Sequence, residues 1–260
     1  MTQTIPTPAA ASARPPFWSA LAQLTLAESR RLTREPMFLL GTVGFPVLFY
    51  SLFGLPRDGM PLEFSRTALL NLAAFSLISL SLFSFGVNVA DERKVGWLRL
   101  LRASPMPLPT YILAKVLAAW LYGGAAVALL MTFAGVVGGV WLGWGASVEA
   151  LLKLLLGATP LVALGLALGF LVRPAAAVVV ANVASLLLVF ASGLAMPLEM
   201  LPAFLSRVAP VLPTYHLGVV ARSAVGSGAN EGLSWLVLLS YTLLFAVIAA
   251  VAMRRDEARE

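Results

Sequence analysis

The residues best equipped for chemistry stand in one run, Asp91-Glu-Arg-Lys-Val-Gly-Trp-Leu-Arg-Leu-Leu-Arg102, followed by Ala103-Ser-Pro-Met-Pro-Leu-Pro109. If residues 92–102 are helical, Trp97, Leu98 and Leu101 share one side, and Glu92, Arg99 and Arg102 share the opposite side. Ser104-Pro105 and the prolines behind it stop such a helix. A short two-faced helix suits docking: its apolar side fills a groove on a soluble partner while its charges fix the register. The same composition suits a basic loop held at a membrane surface. The pattern alone leaves both readings open.

No set of residues suits catalysis. His216 is the only histidine and there is no cysteine. Disulfides, thiolate metal sites and a cysteine nucleophile are thereby excluded, and a metal or Ser–His centre lacks its usual partners. His216 reads as an interfacial or loop-capping residue. No Gly-rich loop ends in Gly-Lys-Ser or Gly-Lys-Thr, so the chain cannot cradle ATP in that way. No catalytic residue, metal site or cofactor of its own is expected, and ATP-driven work requires another polypeptide.

The surroundings of the charged run are apolar. Hydrophobic residues make up 60% of the 260 positions and charged residues 12%, against about half and about a quarter in soluble domains. The net charge of +6 resides beside the apolar runs rather than in a basic domain, which argues against nucleic acid and for anionic lipid. The fold class expected is an all-α integral membrane protein, in the inner or plasma membrane of the cell. A spanning helix needs about 20 apolar residues, and six stretches offer them: 37–55, 67–90, 111–137, 148–172, 175–196 and 233–253. Residues 1–16 read as a disordered tail, and 17–260 as a single membrane domain.

Orientation follows from the lysines and arginines. With the N-terminus in the cytoplasm, 13 of the 18 basic residues fall on the inner side, and only Arg57, Arg66, Lys153, Arg207 and Arg222 fall outside. Both termini are then cytoplasmic. Residues 17–35 are long enough for a helix but too charged to span. Phe17, Trp18, Leu21, Leu24 and Leu32 fall within roughly a third of the helical wheel, with Arg30 and Arg34 opposite. Leu26 falls on the polar face and Glu28 within the apolar stripe, so the pattern is imperfect. The segment reads as a helix lying in the interface, with Pro36 turning the chain into the first span.

Two further features stand out. The stretch from Pro197 to Gly232 is too apolar for a free loop and too broken by proline to span. It suits half-helices resting on protein within the outer leaflet, or a folded external loop. Within the spans, Ser81, Ser84 and Asn88 share one face, and Asn182, Ser185 and Ser192 share another. These faces suit either helix packing or the lining of a pathway. Gly165-x-x-x-Gly169 and Gly135-x-x-x-Gly139 read as sites of close helix approach.

Glu92-Arg93, Gly96, Leu98, Leu101 and Ser104-Pro105, followed by Tyr111 and Lys115 opening a span, resemble the loop after the second span in membrane subunits of type-2 ABC exporters. The segment Leu212-Pro-Thr-Tyr-His-Leu-Gly218, with Arg222 and Gly226 behind it, resembles the Pro-aromatic stretch before that family's last span. The order of these motifs covers nearly the whole chain after about residue 17. The resemblance implies six spans, an interfacial N-terminal helix and an outer-leaflet helical hairpin before the last span. It makes Asp91, Glu92, Arg93, Gly96, Trp97, Leu98, Leu101, Arg102, Ser104 and Pro105 a coupling loop that inserts into an ATP-binding subunit. That partner would bind ATP and Mg. It also implies a second permease chain, taken as identical, and tilts the two polar faces toward pathway lining.

The function expected is the permease half of an ATP-driven exporter. The neutral polar faces favour an amphiphilic or hydrophobic cargo such as a drug or lipid. An ion-coupled secondary transporter is the alternative, but the middles of the six stretches hold no Asp, Glu, Lys or Arg, where such carriers usually place one. A non-transporting membrane scaffold is not excluded by the residues.

Overall fold

The computed structural model describes residues 17–34, 39–103, 108–196, 198–226 and 230–257, and no strand occurs among them. The expected tail, Pro36, the start of the first expected span, Ser104 and Pro105 lie outside the described residues. Arg102 is described in backbone only.

Ten helices follow in chain order among the described residues: α1 (Phe17–Thr33), α2 (Leu40–Gly54), α3 (Leu62–Lys94), α4 (Trp97–Ala103), α5 (Leu108–Gly138), α6 (Trp144–Leu171), α7 (Pro174–Ala191), α8 (Ala203–Val208), α9 (Pro213–Ser223) and α10 (Glu231–Glu257). Five of them, α3, α5, α6, α7 and α10, are long and apolar enough to cross a bilayer. The sixth expected span is represented by α2, whose 15 residues reach about 23 Å at 1.5 Å each, short of the roughly 30 Å hydrocarbon core. Pro46 has no N–H for the carbonyl four residues back, and the turns at Leu40–Gly44 and Tyr50–Gly54 open to the wider π form.

α3 is the central element: Leu69, Leu70, Ala73, Ala74 and Ile78 have no exposed surface. The second half of α6 lies against the π turn Leu82–Val87 of α3, α10 runs along that half of α6, and α1 lies along α5. A Cβ at Gly169 would lie 2.7 Å from the Phe85 carbonyl oxygen, and one at Gly165 would collide with that of Ser81. Two glycines one turn apart thus let the backbones of α3 and α6 meet. The second glycine pair is different from expectation. Gly135 is covered by Trp141 of its own chain, and Gly139, at φ +66°, ends the helix facing open space. That pair makes a helix terminus, because only a residue without Cβ takes the left-handed conformation at little cost.

α6 bends at Ala158. Pro160 offers no N–H to the Leu156 carbonyl, and the Thr159 hydroxyl donates to it instead at 2.8 Å. α7 stops at Ala191, five residues short of the expected end, where Gly193 turns at φ +76°. Broad apolar faces of α7 (Val179, Val183, Leu187) and α10 (Leu236, Leu239, Leu243) stay exposed. Such faces need no cover when lipid is the solvent.

Candidate functional site

The expected single helix over residues 92–102 is two helices. Gly96, at φ +74°, receives the end of α3 through its N–H to the Arg93 carbonyl (3.1 Å) and starts α4 by accepting from the N–H of Arg99 at 3.1 Å. α4 therefore leaves α3 at an angle that an unbroken helix could not give.

The base of this turn is clamped. Glu92, 7% exposed, accepts from Arg31 of α1 at 2.6 Å, from Lys115 of α5 at 2.9 Å and from the Tyr111 hydroxyl of α5. Lys115 is 3% exposed and also reaches Glu28 of α1 at 2.8 Å. The Tyr122 hydroxyl adds a bond to the Ser29 carbonyl at 2.7 Å. The next residue, Arg93, holds Asp256 of α10 with two nitrogens, Nε at 3.0 Å. Its Nη1 donates to the Gly169 carbonyl at 2.8 Å and to that of Val172 at 3.4 Å. It thereby satisfies carbonyls that the end of α6 leaves without intrahelical partners. Two adjacent residues at the foot of α4 thus hold four other helices, Glu92 gripping α1 and α5, Arg93 gripping α6 and α10.

The apolar residues of α4 divide between two sides. Leu98 and Leu101 are buried in a cluster with Val89, Tyr111, Phe170 and Ala252. They were expected to share a partner-facing side with Trp97. Instead they attach α4 to the membrane domain, because Phe170 and Ala252 bring the ends of α6 and α10 beneath it. The outward side carries Trp97 (42% exposed), Leu100 (65%) and, at the turn, Val95 (74%). Asp91, Lys94 and Arg99 are exposed beside them.

Of the two polar faces, Ser81, Ser84 and Asn88 are buried in α3, and Ser84 Oγ has no hydrogen-bond partner. On α7 and just past its end, Ser185 and Ser192 are buried, while Asn182 is exposed and donates to its own helix at the Val178 carbonyl, 2.9 Å. α7 packs on the π turn of α3.

At the opposite end of the bundle α9 sits among α3, α6 and α10. His216, 5% exposed, lies with Nδ1 3.1 Å from Ser234 Oγ and Nε2 2.8 Å from the Pro210 carbonyl. The carbonyl can only accept, so Nε2 carries a proton. The pairing has the form of a Ser–His dyad, yet Ser234 is 2% exposed and the imidazole is occupied by the backbone. It joins α9 to α10 and caps the turn before α9. Lys153 pairs with Glu149 (2.6 Å) and Glu231 (2.8 Å) and donates to Ser223 Oγ at 2.8 Å.

Sequence reasoning missed Arg31 and Asp256 as partners of the loop and Glu28 as a partner of Lys115, and missed Leu100 and Val95 as the loop's exposed apolar residues. The signal for Glu28 was its place within the apolar stripe of α1. A carboxylate on the inward side of a helix requires a cation opposite it, and Lys115 is that cation.

A helical bundle of this composition, with five helices long and apolar enough to cross a bilayer, defines a multi-pass membrane protein. A family model described as ABC-2 family transporter protein matches residues 55–251. A relative named "Putative transport permease YvfS", from Bacillus subtilis (strain 168), is 26% identical over 243 residues, covering 92% of this chain and 99% of the relative. The chain belongs to the ABC-2 transporter family and is a membrane permease subunit of an ABC transporter, a role that implies pairing with an ATP-binding subunit.

Proposed function

We propose that the chain is the permease of an exporter that moves an amphiphilic or hydrophobic cargo, with α4 as the element that docks on the ATP-binding subunit. The observation that carries this reading is the division of α4. Its inner side is fixed to the membrane domain, while Val95, Trp97 and Leu100 stand uncovered between exposed charges. An exposed aromatic flanked by aliphatic residues and rimmed by charge is the anatomy of a binding hot spot. ATP and Mg belong to that partner. Movement imposed on α4 would reach α1 and α5 through Glu92, and α6 and α10 through Arg93, so one contact could shift most of the bundle.

In this reading the α4 end faces the cytoplasm with both termini, α2 completes a sixth crossing, α1 lies in the interface against anionic lipid, and α8 and α9 form a hairpin in the outer leaflet. Two permease chains, identical, complete the complex. The buried serines of α3 and the faces of α7 line the route when the helices part.

The test is co-purification of the ATP-binding subunit, together with ATP hydrolysis, at matched membrane expression. Truncating a buried aromatic anchor costs about 2 kcal/mol or more, roughly a thirty-fold loss of affinity. Trp97→Ala and Leu100→Ala are expected to weaken assembly, whereas Leu98→Ala is expected to lower the stability of the permease itself. Unchanged assembly in the Trp97→Ala, Leu100→Ala double variant would remove α4 from the docking role. Asp58→Cys should react with an impermeant thiol reagent from outside and Lys94→Cys should not; the reverse pattern would invert the topology.

A further inference from the structure

Arg222, in the last turn of α9, points at α3, where its Nη1 donates to Asn71 Oδ1 at 2.8 Å. Among the described residues no carboxylate lies within ion-pair distance of it, although its neighbour in sequence, Ser223, binds a lysine that holds two. The guanidinium carries five N–H donors, and Asn71, once its oxygen is taken, offers two more from its amide nitrogen. Among the described residues only Asn71 accepts a hydrogen bond from the guanidinium, with the Tyr215 phenol as its electrostatic neighbour, and nothing accepts from the Asn71 amide. Both residues are half-buried rather than enclosed. The absence of a side chain at Gly218 lets the guanidinium lie against α9, since a Cβ there would stand 2.8 Å from Nη1. The carbonyl end of α9 supplies about half a negative charge at most, which does not neutralise a cation. A cation within a membrane domain is costly unless a counter-charge arrives, and a cluster holding donors without acceptors selects an anion.

We propose that Arg222 and Asn71 form an oxyanion-binding site at the α9 end of the bundle, taking the phosphate or carboxylate head of an amphiphile. The proposal rests on the reading of the chain as a permease for amphiphilic cargo. Its test needs no ATPase partner, so the failure of one can be told from the failure of the other. The purified permease in phosphatidylcholine nanodiscs is titrated with oleoyl lysophosphatidate and with oleoyl lysophosphatidylcholine, which share a tail and differ in head charge. The lysophosphatidate is expected to bind at least about tenfold more tightly, the scale of one charge-assisted hydrogen bond.

Arg222→Gln should abolish that preference and Arg222→Lys should keep part of it. Asn71→Asp supplies an internal counter-charge and should abolish the preference while raising thermal stability, which separates loss of the site from loss of the fold. Nanodiscs containing phosphatidylglycerol identify the source. Competition with lysophosphatidate assigns the site to a bilayer headgroup, and lack of competition assigns it to a single-tailed cargo; both support an oxyanion site. Equal binding of the two lysolipids by the unaltered protein, or full preference retained in folded Asn71→Asp, overturns the proposal.

Discussion

At the α4 end of the bundle, Glu92 and Lys115 are buried, Arg93 is half-buried, and each has opposite charge in contact. At the α9 end, Lys153 is paired twice over while Arg222, among the described residues, hydrogen-bonds only to the neutral amide of Asn71. The first end uses charge as a fastener between helices. The second leaves one cation without opposite charge among the described residues, and that contrast separates residues paired to hold the fold from the residue proposed to meet a ligand. It also explains why two adjacent loop residues, both suited on sequence grounds to bind a partner, are occupied inside the chain.

The largest effect should come from breaking the fastener. Glu92→Ala leaves Lys115, Arg31 and Tyr111 without their shared acceptor, and removal of one partner from a buried ion pair costs about 3–5 kcal/mol. A steep fall in the melting temperature of the purified permease is expected. A variant as stable as the parent would show that the cluster does not bind α1 and α5 to the loop.

Next is the crossing of α3 and α6. Gly169→Ala pushes a methyl group into the backbone of α3 and should cost about 1–3 kcal/mol, read in the same melting assay. Gly135→Ala meets only the Trp141 ring of its own chain, which can shift, so its loss should be smaller. If Gly135→Ala were the more damaging of the two, the assignment of the α3–α6 contact as the close helix crossing would be wrong.

The smallest effect belongs to the α9 end. The Glu149 side chain is half exposed, and Lys153 keeps Glu231 and Ser223 when it is lost. Glu149→Gln should change stability by less than about 1 kcal/mol. A loss comparable to that of Glu92→Ala would erase the distinction between the two ends.

Much of this was legible in the residues alone. The five long helices announced themselves by apolar length, which needs no partner to be read, and the charged loop stood out because ten of its neighbours on each side are mostly uncharged. Lipid as solvent makes composition alone decisive, since a helix satisfies its own backbone whatever surrounds it. Membership of the family was likewise legible, as the resemblance drawn from Glu92-Arg93 and residues 212–218 implied.

What tertiary structure decided was direction. Leu98 and Leu101 differ from Trp97 and Leu100 by a rotation about one short helix, and both pairs are apolar. Only the arrival of Phe170 and Ala252 beneath α4 settles which pair is inside. Gly139 and Gly169 each close a Gly-x-x-x-Gly motif, yet one ends a helix and the other joins two, because spacing says nothing about what lies opposite. Charges obey the same logic. Glu92, Arg93 and Arg222 are all polar residues beside apolar sequence, and whether each is answered depends on side chains 61, 163 and 151 positions away. A sequence fixes what each residue can offer; the packing of distant helices fixes which offers are taken up, and by that means which are left for a ligand.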